Sequence, residues 1–574
     1  MTSPYNKHLS YRQLLTVKRR ALVLQSCKTR RSYTLLETEY NLIDVSSSLS
    51  NEQFTTFAHN RLDWDILSSI ATSFPNSTEC LQIAYNSVIN FKGVSLRTGR
   101  EMTQYIRCSG IPTLNAKLDQ IVCMQNALNQ ESNPNDILSL KNSIDAAETE
   151  LYALLHSFEG SPFLKVYDWT DVINRLGDND VAIEFVECNS LISEPCYVAM
   201  ILRKGWNTPR IIKLCNKDEL FDIAKIDPSS RIYRNSEDGK QRLDDIYYKK
   251  GYSLIWSKIS DYLHDSDRIY FAPDGLLHQI NIEIFQDNIG MRVSDKYVVH
   301  RLSSTRELCI DKMQTSEKSI ILYGGLDYDM NVQSMISQSR QYKTTRDRGI
   351  LCEFANGSTS PDSWSNLPGT KIEVERISEL CKQYNISADI YTSKDGNEES
   401  FKALSGKNVP IIHIATHGLF VDDNSTDHAH FLGGYRSDNS FGSSALIFSG
   451  ANNVWSGKAV PDGVEDGVLL AEEIATMNLT ETELVVLSAC ETGLGKITSE
   501  GVFGLQRAFK KAGVQTIIMS LWKVDDAATS MFMQSFYKHW LAGASKHDAF
   551  ALAQETVRSY PEKIGSPHTS GLDL

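Results

Sequence analysis

The chain has 574 residues, of which 41% are hydrophobic and 22% charged, and its formal net charge at pH 7 is −13. A chain of this length is too long for one hydrophobic core and is expected to form about two to four domains. The acidic balance argues against general nucleic-acid binding, because neutralising phosphates requires a surplus of Lys and Arg.

The apolar runs are short, the longest having about seven to nine residues, whereas a membrane-spanning helix needs roughly 20. The sequence therefore predicts neither a transmembrane segment nor a membrane partner. The N-terminal stretch "MTSPYNKHLSYRQLLTVKRR" has no apolar signal core, which favours a cytoplasmic protein. The eleven cysteines are scattered without a Cys-x-x-Cys pair. This pattern favours buried thiols over a zinc ribbon or a disulfide framework.

Residues 1–160 carry apolar side chains at spacings of three and four, as in "LDQIVCMQNALNQ" and "LKNSIDAAETELYALLHSF". This spacing is typical of amphipathic helices and predicts an all-helical N-terminal region. No repeat of fixed period is evident in it.

Residues 161–316 have a different pattern, with short apolar runs between turn residues. The runs "DVAIEFVEC", "CYVAMILRKG" and "RIIKL" predict consecutive antiparallel strands. The segment "DRIYFAPDGLLHQINIEIF" follows a predicted helical stretch at 241–263. We therefore expect an antiparallel, β-rich first half of a larger α/β unit.

Residues 317–574 alternate strands with helices. Examples are the strands "KSIILYGGLDYD", "ADIYTS", "VPIIHIATH", "ELVVLSAC" and "VQTIIMSLW". Helical patterns follow the first two and the last two of these strands. Strands that are apolar along their whole length predict a parallel sheet covered by helices on both faces. Two long polar stretches, 329–368 and 422–467, interrupt this pattern. Structureless loops of that length are usually functional or disordered, and we expect them to frame a substrate groove or to be processed.

Two of these apolar runs end in chemically reactive residues. "PIIHIATHGLF" reaches His417 and Gly418, and "ELVVLSACETGLG" reaches Cys490. In an open parallel sheet, ligands and chemistry collect at the carboxyl ends of the strands. If the two strands are neighbours, about 4.8 Å apart, the imidazole can activate the thiol. The backbone N–H groups of Gly418 and Cys490 are then the expected donors to an oxyanion. Structural roles for a lone His and a lone Cys remain the alternative at this point.

Four segments, in the order "YFAPDGLLHQI", "IIHIATHGLF", "DGVLLAEEIATMNLTETELVVLSACETGLG" and "SEGVFGLQRAFKKAGVQTIIMSLWKVDDAAT", resemble the CHAT family. Its members are caspase-like cysteine peptidases of the group that includes caspases and separases. The resemblance extends from about residue 80 to the C-terminus. It implies a caspase-like, parallel-centred sheet flanked by helices in residues 161–574, with a catalytic dyad of His417 and Cys490. It also implies that the helical region upstream, often a tetratricopeptide array in such proteins, receives a signal.

Other residues near these strand ends have less specific patterns. His413 and His417 have the spacing of a helical metal pair, but in a strand they lie about 13 Å apart, so we expect His413 to be a packed strand residue. In "LWKVDDAAT", Asp525 is expected to cap the following helix. The segment also resembles separases, which carry an acid that holds a basic P1 residue, and Asp526 is the substrate-binding candidate.

These observations predict a cytoplasmic caspase-like cysteine endopeptidase that acts on a protein or peptide. Thiol–imidazole chemistry needs no metal, so no cofactor is expected. A regulatory protein partner is expected to act through the helical N-terminal region. The alternative is a catalytically inactive CHAT scaffold that uses its helical region to bind partners.

Overall fold

The computed structural model describes residues 68–69, 71–130, 133–156, 166–188, 194–228, 230, 233, 236–310, 319–342, 363–420, 444–461, 463–489, 496–498, 501–521 and 526–563. Cys490 and Asp525 lie outside these ranges, and the side chain of Asp526 is not described.

Long helices open the described part of the chain: α1 Thr78–Phe91, α2 Val94–Ser109, α3 Pro112–Gln130 and α4 Pro134–His156. Ser77 caps the first of them by accepting a hydrogen bond from the backbone N–H of Cys80. Gly93 and Gly110 bound α2 with φ angles of 63° and 66°, a conformation that glycine adopts without strain. The helical prediction for residues 1–160 is therefore confirmed where the structure describes that region.

The first sheet has the order β3-β2-β1-β4-β5. β2 pairs antiparallel with both β1 and β3, whereas β1, β4 and β5 are parallel. The antiparallel pairing predicted for the first three runs is thus confirmed. The strands are β1 Asp180–Cys188, β2 Cys196–Arg203, β3 Arg210–Asn216, β4 Arg268–Ala272 and β5 Val298–Arg301.

Short helices accompany this sheet. They are α5 Trp169–Ile173, α6 Lys217–Ala224, α7 Glu237–Arg242, a π-helix Leu243–Lys250, α8 Gly251–Leu254, α9 Trp256–Ile259, α10 Val293–Lys296, and 3₁₀ turns at Ser260–Tyr262, Gly275–His278, Ile282–Ile284 and Thr305–Cys309. β1 is buried along its whole length because both faces of the sheet are covered. Val181 and Ile183 face one hydrophobic core, whereas Ala182 and Val186 face another.

The second sheet has the order β15-β12-β8-β6-β7, and all of its pairings are parallel. Alternate residues of its central strands again face two cores: Ile412 and Ile414 face one, and Ile411 and Ala415 the other. The predicted α/β fold with a parallel sheet between helical layers is confirmed. The strands are β6 Ser319–Leu326, β7 Ser387–Ser393, β8 Ile411–Ala415, β12 Leu484–Ser488 and β15 Thr516–Ile518.

The helices of this half are α11 Val332–Ser339, α12 Pro368–Gln383, α13 Glu398–Lys402, α14 Asn452–Trp455, α15 Ala471–Thr476, α16 Leu505–Ala512, α17 Asp526–Leu541 and α18 Lys546–Lys563. Two small antiparallel sheets add to it: β9 Gly418–Phe420, β10 Ser444–Ile447 and β11 Val468–Leu470 form one, and β13 Lys496–Thr498 and β14 Gly501–Phe503 the other.

The polar stretches 329–368 and 422–467 are not structureless where they are described. The first contains α11, and the second contains β10 and α14. The physical reason is that short apolar groups within them, such as "SALIF", supply the buried strand residues, although the surrounding Asn, Ser and Gly dominate the composition.

The helical region packs on both halves. Lys92, just after α1, reaches Glu184 of β1 with an Nζ–Oε2 distance of 2.9 Å. α2 packs against α16 and α3 against α15, where Thr476 donates a hydrogen bond to the side-chain oxygen of Asn126 at 3.1 Å. None of the described helices is long and apolar enough to cross a membrane. Among the described cysteines, Cys80 is disulfide-bonded, Cys123 is a free, exposed thiol, and the other free thiols are buried.

Candidate functional site

The strands that precede the two predicted reactive residues are direct neighbours. β8 and β12 pair in parallel, with Ala415 opposite Ser488. His417 is the second residue after Ala415, and Cys490 is the second residue after Ser488. The neighbour relationship on which the sequence argument depended is therefore present, although Cys490 itself lies outside the described residues.

The His417 side chain is partly exposed and held by a short polar contact. Its Nε2 lies 2.8 Å from the backbone oxygen of Ser365. A carbonyl oxygen can only accept, so Nε2 must carry the proton in this contact. In the neutral ring the lone pair then resides on Nδ1, which assigns the tautomer from geometry. Nδ1 is the nitrogen suited to take a proton from a neighbouring acid.

Aromatic rings surround the imidazole. The rings of Trp364 and Tyr328 have centroids 5.0 Å and 5.1 Å from that of His417, both tilted. Trp455 packs edge-on against Trp364 at 4.8 Å. These contacts limit the rotation of the imidazole and cover it with apolar surface.

Hydrogen bonds fix both aromatic walls. The Tyr328 hydroxyl lies 2.9 Å from Oγ1 of Thr416. The backbone N–H of Trp364 donates to the side chain of Asn452 at 2.7 Å, and the amide of Asn452 donates back to the Trp364 carbonyl at 3.0 Å. The same amide also donates to Asp329 at 2.8 Å. The segment around residue 364 is therefore anchored at its backbone, which holds the Ser365 carbonyl in position.

The turn after β8 is fixed by the small sheet of β9, β10 and β11. Gly418 pairs with Leu446 of β10. The backbone N–H of Ile447 donates to the His417 carbonyl at 3.1 Å, and the Thr416 hydroxyl donates to the Ile447 carbonyl. His417 thus occupies the junction between a parallel and an antiparallel sheet, which defines its backbone on both sides.

A buried cluster supports this sheet from behind. The ammonium of Lys402 lies 2.6 Å from Glu398, 2.8 Å from Glu465 and 2.7 Å from Glu473. Glu398 also accepts from the backbone N–H of Gly467, next to β11, at 2.9 Å. Burial alone would lower the pKa of Lys402, but the surrounding carboxylates raise this pKa well above its usual value. The three carboxylates are close enough together for a metal ion, but the Lys402 ammonium already pairs with each of them.

Cys490 is flanked in the chain by described residues that make defined contacts. The Ser520 hydroxyl, just beyond β15, donates to the Ala489 carbonyl at 2.6 Å. Further along, the hairpin of β13 and β14 packs against the 3₁₀ turn Gly275–His278 of the first half. In the chain, Cys490 follows the first of these contacts and precedes the second.

The other sequence predictions have separate outcomes. His413 is buried, with Nε2 2.8 Å from Glu373 and Nδ1 3.3 Å from the Tyr537 hydroxyl, so its prediction as a packed strand residue is confirmed. α17 begins at Asp526, but neither its side chain nor Asp525 is described, so both of their roles stay predictions.

Sequence reasoning missed Trp364, Ser365 and Tyr328 as neighbours of His417. The available signal was weak: two of them lie in the polar stretch 329–368 that was expected to frame a groove, and "DSWSN" places a lone Trp in it.

Comparison with known proteins gives one family and several distant relatives. The model of the CHAT domain matches residues 247–568. Tetratricopeptide repeat protein 28 from Homo sapiens is 28% identical over 206 residues, which is 34% of this chain and 8% of that protein. The protein of the same name from Mus musculus is 27% identical over 208 residues, again 34% and 8%. The chain therefore matches only a small part of these relatives.

Solved structures are more distant in sequence. The Arg-specific cysteine proteinase gingipain R is 11% identical, with a TM-score of 0.26, covering 59% of this chain and 66% of that one. The separase–securin complex from Saccharomyces cerevisiae is 9% identical, with a TM-score of 0.41, covering 87% and 35%.

Proposed function

Because this chain belongs to the CHAT domain family, we propose that it is a cysteine endopeptidase that acts on a protein or peptide through a dyad of His417 and Cys490. One observation supports the proposal: β8 and β12 are parallel neighbours in a register that pairs Ala415 with Ser488. His417 follows Ala415 by two positions in the chain, and Cys490 follows Ser488 by two positions. Adjacent strands lie about 4.8 Å apart, within reach of an imidazole and a thiol.

In the proposed reaction, His417 accepts the thiol proton at Nδ1, the nitrogen that does not donate to Ser365. The Cys490 sulfur forms a bond to the carbonyl carbon of the scissile peptide, and the carbonyl π electrons move to its oxygen. The backbone N–H groups of Gly418 and Cys490 hold this oxyanion. His417 then gives its proton to the leaving amine as the C–N bond breaks, and water hydrolyses the thioester. No step requires a metal.

The helical region is proposed to regulate this reaction or to recruit a protein partner. α2 packs against α16, and α16 follows the β13–β14 hairpin that comes after Cys490 in the chain. A partner that displaces α2 would therefore act on the cysteine segment through contiguous contacts. These contacts support regulation through α2. They are compatible with an active peptidase and with an inactive scaffold.

Active-site labelling tests the dyad. A peptide carrying an electrophilic warhead should modify the wild type once, and the modification should disappear in Cys490→Ala and fall sharply in His417→Ala. Cys123→Ala is the matched control, because Cys123 is a free and exposed thiol on α3. A peptide-library assay on the same variants then measures cleavage, which should be unaffected by chelators.

Labelling that persists in Cys490→Ala and disappears in Cys123→Ala would refute the dyad. The alternative function, an inactive CHAT scaffold, predicts a folded wild type with neither labelling nor cleavage. The contacts of α2 and α3 with the second half would then serve to present a binding surface.

A further inference from the structure

Two cysteines face each other at the ends of neighbouring strands in the first sheet. Cys188 is the last residue of β1, and Cys196 is the first residue of β2. The antiparallel register places them directly opposite each other, and both belong to the hydrophobic core that also contains residues of α1. Neither is part of a disulfide. The fold therefore brings two reduced thiols together across one strand pair.

The spacing of this pair suits a disulfide. Directly opposite residues of antiparallel strands have Cα atoms about 4.5 or 5.5 Å apart, depending on the hydrogen-bonding pattern. A disulfide requires a Cα–Cα distance of roughly 4.4–6.8 Å and side chains that point toward each other. The side chains of Cys188 and Cys196 already meet, because they hydrogen-bond to each other. A bond between the two sulfurs would therefore require little movement of the backbone.

The surroundings favour Cys196 as the reactive thiol of the pair. The hydrogen bond from Cys188 lowers the pKa of Cys196, burial opposes this effect, and the positive charge of Lys213 lowers the pKa further. A lowered pKa increases the fraction of thiolate, which is the nucleophilic form of cysteine. At neutral pH, Cys196 is thus more nucleophilic than a thiol that is buried alone.

Cys215 on β3 gives the contrast within the same sheet. It is buried to nearly the same extent as Cys196, with 4% of its surface exposed against 5%. Its side chain belongs to the core on the other face of the sheet, and burial raises its pKa to about 12. Two equally buried thiols on adjacent strands are therefore expected to differ in reactivity.

Access to the pair is narrow and lies on the side of Cys196. Cys188 has no exposed surface, whereas Cys196 directly follows the exposed residues Glu194 and Pro195. A hydroperoxide such as hydrogen peroxide is comparable in size to a water molecule, so it can approach a thiol that a bulky oxidant cannot reach. A small oxidant therefore meets Cys196 before Cys188.

We propose that Cys188 and Cys196 form a reversible disulfide when a hydroperoxide oxidises Cys196. The Cys196 sulfur attacks one peroxide oxygen, the O–O bond breaks, and the released hydroxide combines with the thiol proton to give water. The Cys188 sulfur then attacks the sulfenic acid formed on Cys196. The S–S bond forms as the S–O bond breaks, and a second water leaves with the Cys188 proton. The two thiols lose two electrons, which reduce the peroxide to water, and no step depends on peptidase activity.

The disulfide would lie beside a contact between the two halves of the molecule. Glu187 and Tyr197 are the next opposed residues of the same strand pair, and their side chains hydrogen-bond to each other. The Tyr197 hydroxyl also accepts a hydrogen bond from the backbone N–H of Leu276 at 2.9 Å, in the turn against which the β13–β14 hairpin packs. Oxidation would therefore fix the strand ends that hold this turn.

Peptide mapping of the full chain by mass spectrometry tests the pair. Trypsin should release both cysteines in one peptide, residues 176–203, because no Lys or Arg lies between Arg175 and Arg203. After treatment with hydrogen peroxide and alkylation in denaturant, this peptide should lack both alkyl groups and be two hydrogens lighter, and dithiothreitol should restore both alkylation sites. This oxidation should need at least about tenfold less peroxide than modification of Cys215.

Trapping the sulfenic acid identifies the attacking thiol. In Cys188→Ala, dimedone should label Cys196, whereas Cys196→Ala should leave Cys188 unlabelled. The matched control Cys215→Ala should form the disulfide at the wild-type rate. A pair that stays fully alkylated at peroxide concentrations that already modify Cys215 would overturn the proposal, and this result needs no variant. Dimedone labelling of Cys188 in Cys196→Ala would overturn the assignment of Cys196 as the attacking thiol.

Discussion

The two five-stranded sheets place polar groups at their carboxyl ends in different ways. In the first sheet, Glu187 at the end of β1 accepts hydrogen bonds from Tyr197 and Lys217, and its own backbone N–H donates to Asp274 at 2.8 Å. Asp274 and Glu187 are both nearly buried. In the second sheet, His417 is partly exposed and lies between aromatic rings.

This difference separates structural from reactive chemistry. Buried polar groups that hydrogen-bond to one another hold one conformation but offer nothing to a substrate. A partly exposed imidazole with a fixed tautomer can exchange a proton with a bound molecule. Substitutions in the first sheet should therefore change stability, and those at the second site should change reactivity.

The largest effect is expected at the ion pair between Lys92 and Glu184. Oε1 of Glu184 accepts from Ser304 and twice from Thr305, and Oε2 accepts from Lys92. Lys92→Met leaves a buried, uncompensated carboxylate, which should cost about 3–5 kcal/mol of unfolding free energy. Urea denaturation measures the loss.

The double variant Lys92→Met/Glu184→Gln is the control for that ion pair. It should recover much of the loss, because no charge is left unpaired. If Lys92→Met instead abolished electrophile labelling without changing stability, the assignment of a structural role to the first sheet and a reactive role to the second would be wrong.

His417→Gln tests the reactive role of the second sheet. Removing the base should slow labelling of Cys490 about a hundredfold, while the melting temperature stays close to that of the wild type. His413→Gln is the matched control on the same strand, because its buried contact with Glu373 predicts lost stability. A His417→Gln protein that is labelled at the wild-type rate would exclude His417 as the base.

The fold was largely predictable from the sequence, because each long apolar run is a strand of one of the two sheets. "DVAIEFVEC" and "PIIHIATH" are buried on both faces. Strands that are apolar along their whole length must be covered by two layers, and this pattern can be recognised in the sequence. The sequence argument had to assume that β8 and β12 are neighbours. The reason is that 67 residues lie between Ala415 and Glu483, and connections of that length do not determine strand order.

The surroundings of His417 could not be predicted. Ser365 lies 52 residues before His417, and its backbone carbonyl carries no signal in the residue type. The buried pair of Lys92 and Glu184 was equally invisible, because a charged residue within a run such as "AIEF" shows that a partner is needed but not which one.

Asp526→Ala tests the predicted substrate pocket and should have a smaller effect. An acidic wall favours Arg at P1 over Lys because the guanidinium pairs bidentately with a carboxylate. We expect the wild type to prefer Arg at P1, and we expect this preference to be about tenfold smaller in the variant. Profiling P1 on both proteins measures it. Equal cleavage after Leu in the wild type, or an unchanged profile in the variant, would leave Asp526 with only its place as the first residue of α17.

The smallest effect concerns the pH dependence of stability in the two halves. Burial raises the pKa of Asp274 to about 7, against an ordinary value of 3.8, and burial also raises the pKa of Glu399 in α13 to about 7. In this window the folded chain binds more protons than the unfolded chain, so stability falls as pH rises from about 4 to about 7 and then levels off.

Each carboxyl group should contribute about 1 kcal/mol of this fall between pH 6 and 7. The side chains introduced by Asp274→Asn and Glu399→Gln are neutral at all pH values. The melting temperature of each variant should therefore fall less than that of the wild type between pH 6 and 8.5. The difference should be roughly 2–4 °C. Because the two groups belong to different halves, the double variant should add the two effects. A wild type whose stability rises with pH over this range would show that both carboxyl groups are ionised in the folded chain.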